Sequence, residues 1–134
     1  MSVPASIPVS AGGAAAAEGG STRPAEPEAY ALRRGASGAP APEAGILSQT
    51  LAKVGGVRVT RFAFAAGEEL TEHTSTRPAL LHFLRGRARL TLGGDTVEVG
   101  AGDHLHMRAG LRHAVVALEP LEFVLTLLPG GDEG

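Results

Sequence analysis

From Ile46 onward, apolar residues recur at every second position in short runs that glycines separate. Ala88, Leu90 and Leu92 alternate with Arg87, Arg89 and Thr91, and Val97 and Val99 flank Glu98, the period-two rhythm of half-buried strands. Gly93-Gly94-Asp95 lies between these runs and marks a hairpin. ILSQTLAKV and VRVTRFAF read as two more strands joined by Gly55-Gly56. Val57 and Val59 share one phase and Phe62 and Phe64 the other, which predicts a bulge or a change of face near Thr60. The runs ALLHFL, HLHM, LRHAVVAL and LEFVLTLL follow; the last places Leu121, Phe123, Leu125 and Leu127 on one face before Pro129 stops it. About eight short strands with glycine-rich turns and no amphipathic helix predict an all-β antiparallel sandwich or barrel.

Residues 1–44 break this pattern. They hold thirteen Ala, six Gly, six Pro and five Ser, so ordering them costs entropy with little apolar burial in return. The expected organisation is a disordered Ala/Gly/Pro-rich arm over 1–44, a barrel over 45–129 and a flexible acidic tail over 130–134. The arm reads as a leader or a tether, with AYALRR around Tyr30 as its one anchor-like piece.

The net charge of -2 and pI near 6.2 lack the positive field that a phosphate backbone requires, so nucleic acid is not an expected partner. No signal-type or membrane-length apolar run is present, which predicts a soluble, cytoplasmic protein without a membrane partner. With no cysteine, any transition metal would rest on histidine, carboxylate or water.

All five histidines, His73, His82, His104, His106 and His113, fall between residues 73 and 113, as an imidazole metal site would require. Two stretches contain them. Gly67 to Gly86 carries Gly67, His73 and Gly86 at the spacing G(X)5HXH(X)3-4E(X)6G, with Ser75 at the second histidine and Ala79 at the glutamate. Gly102 to His113 carries Gly102, Gly110 and His113 at the spacing G(X)5PXG(X)2H(X)3N, with Arg108 for the proline; Ala117 stands for the asparagine.

Over residues 46–128 the chain therefore resembles a small single-domain cupin of the conserved-barrel type, a jelly-roll β-barrel with degenerate metal motifs. The resemblance implies His73 and His113 as metal ligands, with His82 and His106 as further candidates. Strand phase leaves the face of His82 open and favours the rim or outside for His106. The family's cofactor would be a divalent ion, Fe, Mn, Ni or Zn, held weakly here, or no metal at all. Ser75, Ala79, Phe83, Met107 and Val115 are expected to line the cavity, framed by the turn glycines Gly67, Gly86, Gly102 and Gly110. The expected function is binding of a small molecule in the barrel. The alternatives are a metal-dependent enzyme of dioxygenase or isomerase type using the His73/His113 pair, and a structural or dimerising barrel; a homodimer is expected. Glu72 and the Arg85, Arg87, Arg89 stripe read as solvated, and no nucleophile elbow, phosphate loop or catalytic triad can be assembled.

Overall fold

The structure, a computed structural model, describes Pro24, residues 29–35 and residues 40–130. The expectations for most of the N-terminal arm and for the acidic tail beyond residue 130 lie outside the described residues. The chain divides into Met1–Leu32 and Arg33–Gly134. In the first unit the described residues form no strand or helix, and Tyr30 and Leu32 are exposed.

The described residues of the second unit form nine strands: β1 (Ile46–Val54), β2 (Val57–Phe64), β3 (Glu69–His73), β4 (Ala79–Arg85), β5 (Arg87–Leu92), β6 (Asp95–Gly100), β7 (His104–Met107), β8 (His113–Ala117) and β9 (Leu121–Leu127). They form a five-stranded sheet, β1-β2-β9-β4-β7, and a four-stranded sheet, β3-β8-β5-β6. Every pairing is antiparallel. This is the expected all-β jelly roll. No helix among the described residues is long and apolar enough to cross a membrane.

The hairpins follow from local chemistry. Gly55 and Gly56 take φ of 59° and 82°, the left-handed pair that a two-residue turn needs to match the twist of its strands. The irregularity expected in β2 lies elsewhere. Arg58 to Phe64 pair with β9 without a break, and the bulge falls in β1 between Thr50 and Ala52. The apolar phase of β2 changes because both of its faces are covered: Phe64 is buried on one and Ala63 on the other.

Phe64, Leu81, Phe83, Leu90, Leu121 and Phe123 form the middle of the core. Phe123 stacks on Phe62 at 5.2 Å between ring centres and meets Phe83 at the same separation. Full burial of such side chains contributes about 1.5–3 kcal/mol each. This packing closes the centre of the sandwich and leaves one end open, where the C-terminal ends of β3, β7 and β9 meet the N-terminal ends of β4 and β8.

The outward face of β9 holds a surprise. Glu122 is only 2% exposed and pairs with Arg61, also 2% exposed, at 2.6 Å. Its other oxygen accepts from Arg85 Nε at 2.9 Å. The arginine stripe is thus divided between sheets. Arg87 pairs with Glu98 at 3.2 Å and Glu119 at 3.1 Å on the solvent side of β5.

Candidate functional site

The site begins with the register of β3 against β8. Leu70 lies opposite Val115, but His73 lies opposite His113, so three steps along β3 match two along β8. The extra residue is a bulge. In a regular ladder Glu72 would face His113, and His73 would point the other way. The bulge turns His73 onto the face of His113, Val115 and Ala117 of β8, which are buried, while His73 itself stays exposed at the open end. It leaves Glu72 outside, where its carboxylate pairs with Arg112 at 3.1 Å. The hydrogen bond and charge of that guanidinium hold the Glu72 carboxyl below its usual range.

The two imidazoles meet edge to face with centres 4.2 Å apart. His73 Nδ1–H donates to Thr71 O at 2.9 Å, the carbonyl of the bulge itself. His113 Nδ1–H donates to Leu111 O at 2.8 Å. A carbonyl oxygen can only accept, so each ring donates from Nδ1, and in its neutral form each keeps the Nε2 lone pair available. His113 is 7% exposed; burial pushes its pKa below 6.5, the Leu111 carbonyl opposes the shift, and the charge of His73 adds to it.

The rings border a cavity of about 190 Å³ at the open end. Its polar lining is His73, Ser75, Arg77, Arg108 and His113, and its apolar lining is Ala79, Met107, Leu111, Leu125 and Leu127. Ser75 Oγ is occupied locally, accepting from Arg77 N and donating to Arg77 O, each at 3.0 Å. Arg77 Nε donates to Leu128 O at 2.8 Å, and its Nη2 reaches Gly56 O. This guanidinium therefore ties the end of β9 to the β1–β2 turn. A larger depression of about 370 Å³ lies at the other end of the sandwich. It has no histidine, and its Arg85, Glu119 and Glu122 are all engaged in ion pairs.

Several expected positions fall elsewhere. Phe83, fully buried, and Val115, 4% exposed, belong to the closed core rather than to the cavity lining. His82 and His106 lie on the outer face of the five-stranded sheet and are exposed. The pairs Leu80–His106 and His82–His104 share that face, opposite in phase to Leu81 and Phe83. Sequence reasoning anticipated Leu111 as core or cavity lining but not Arg77, Arg108, Leu125 or Leu127. Arg108 was marked only by standing at a motif proline, and Leu125 and Leu127 only by their inward phase.

The four motif glycines all have positive φ, and the amides of Gly67, Gly102 and Gly110 tie segments together. Gly110 N donates to Ser75 O at 2.8 Å and so joins the two stretches that carry the histidines. At Gly86 the constraint is also steric: a Cβ would lie 2.1 Å from Pro120 O.

The donors do not fit a tightly held resident metal. Among the described residues no three His, Cys, Asp or Glu side chains converge, Ser75 Oγ is engaged, and Ala79 offers nothing. Catalytic zinc sites take three protein ligands and structural ones four; two imidazoles leave most of the sphere to water.

The sequence profile of the cupin domain matches residues 60–128, just over half of the chain. The chain belongs to the cupin family. Solved structures agree with this assignment. This cupin is similar to a conserved protein of unknown function from Streptococcus pyogenes, with 29% identity over 67% of this chain and 79% of that one, at a TM-score of 0.63. A cupin superfamily protein from Desulfitobacterium hafniense matches at 27% identity over 66% and 82% of the two chains, with a TM-score of 0.63. KdgF from Halomonas shares the fold at 23% identity, over 66% and 84%, with a TM-score of 0.60. No curated protein matches. Compared with the motifs of its family, this cupin keeps one histidine from each and all four turn glycines.

Proposed function

We propose that this cupin binds a small molecule in the cavity between His73 and His113, and that any divalent ion there is held weakly by the two Nε2 atoms. The observation that carries this reading is the imidazole pair itself. Two rings with fixed tautomers present adjacent acceptors to a preformed, largely apolar cavity, the usual form of a small-molecule site. Fragment screening by ligand-observed NMR, with the two imidazoles as markers, is expected to find ligands that shift both rings and weaken about tenfold or more in His113→Ala. The reading is overturned if no fragment moves the rings, or if those that do bind His113→Ala equally well.

A metal-dependent enzyme is the second reading. It is favoured by the two Nδ1–H to carbonyl bonds, since metal-ligating histidines are oriented in the same way. Stoichiometric metal after native purification, together with turnover lost in both His73→Ala and His113→Ala, would establish it over the first. A homodimer is also proposed, because β1 is an edge strand with Ile46 and Leu47 exposed. Light scattering that shows only monomer at high concentration would remove it.

A further inference from the structure

We infer that the cavity selects a short-chain hydroxycarboxylate, with Arg108 taking the carboxylate and the Nε2 atom of His113 accepting from the hydroxyl. The inference rests on the cavity being a ligand site and adds the class of ligand. It starts from charge. Among the described residues the lining contains two guanidiniums and two imidazoles but no carboxylate. The nearest acid along β3, Glu72, has been turned outward to Arg112.

The two guanidiniums are not equivalent. Arg77 is spent on backbone carbonyls, whereas the Arg108 side chain is exposed and makes no hydrogen bond or ion pair among the described residues. A planar guanidinium at the mouth of a cavity matches a carboxylate in a bidentate manner. The imidazoles set the other requirement. With Nδ1–H bonded to Thr71 O and Leu111 O, a ring in its neutral form offers only an acceptor at Nε2, so it requires a donor from the ligand. Met107, Leu111 and Leu125 supply the apolar wall between these poles. The volume of about 190 Å³ holds about six waters at ~30 Å³ each, which suits a molecule of about seven non-hydrogen atoms.

The test is calorimetric titration of the full-length protein in metal-depleted buffer with 3-hydroxybutyrate, butyrate, 3-hydroxybutyramide and butylamine. The expected order places 3-hydroxybutyrate tightest, with the neutral amide weaker by about tenfold or more, the loss expected for a charge-assisted bond, and with no binding of the amine. Arg108→Gln removes the preference for carboxylate over amide, Arg108→Lys keeps part of it, and neither changes the circular dichroism spectrum. His113→Gln removes the preference for hydroxybutyrate over butyrate. Equal or tighter binding of the amide overturns the inference while leaving the cavity a ligand site. A carboxylate preference that survives Arg108→Gln overturns the role of Arg108. If no compound binds and no screening fragment shifts the imidazoles, the ligand-site reading fails and this inference fails with it.

Discussion

His73 and His113 stand directly opposite each other across the β3–β8 ladder, their ring centres 4.2 Å apart. Each ring is fixed by the carbonyl two residues before it, so the pair is held by backbone geometry and needs no ion between the rings.

Metal content follows from this donor set. Protein purified without chelator is expected to carry well under one equivalent of Fe, Mn, Ni or Zn, because two imidazoles fall short of the three protein ligands of a catalytic site. Added zinc should be removed by simple dialysis, and the melting temperature should be the same before and after. Elemental analysis checks this; a full equivalent that survives dialysis would contradict it.

Stability should decline on the acid side of neutrality. Burial lowers the His113 pKa in the fold below 6.5, so at pH values below 6.5 the unfolded chain takes up the proton more readily than the folded one. The contribution is intact above pH 6.5 and is lost as pH falls through the folded value. Urea melts from about pH 7.5 to about pH 5 should show a steeper loss in the native protein than in His113→Gln.

Removing the Glu122 carboxylate should be costly. Glu122→Gln removes the carboxylate that pairs with the buried Arg61 guanidinium, and breaking such a pair costs about 3–5 kcal/mol. The double variant Arg61→Met, Glu122→Leu should recover part of this loss, since well-packed apolar replacements often match a buried pair. Denaturant midpoints of the three proteins decide the matter.

Gly86→Ala should destabilise by about 3 kcal/mol or more. Its φ is 84° and a Cβ would strike Pro120 O at 2.1 Å, so either the β4–β5 turn or the start of β9 must move. Gly67→Ala, with no atom within 4 Å of the added Cβ, should cost less, and thermal melts of the two variants separate strain from collision.

The strands were legible in the sequence because alternation and glycine turns coincide: Gly55-Gly56 and Gly93-Gly94 each mark a hairpin that forms. The site was legible only at its ends. His73 and His113 were found through glycine spacing, but His82 was ambiguous because Leu80 and Leu81 leave both phases of β4 apolar; only pairing with β7 and β9 shows which phase faces the core. Glu122 was hidden for a related reason. A single glutamate between Leu121 and Phe123 reads as the wet side of a strand, and nothing local says that Arg61, sixty-one residues away, lies beside it. Arg108 looked like a lost motif residue, and its place in the cavity depends on the path of the chain after β7.

The bulge in β3 means that register, as much as residue type, sets the chemistry of the cavity. Deleting Thr71 would let the ladder run regularly and still leave His73 opposite His113. A one-residue slip of the intact strand would instead deliver Glu72 to that place and exchange an imidazole pair for an imidazole and a carboxylate. Two donor sets are thus written in the same five letters, ELTEH, and strand register selects between them without a substitution.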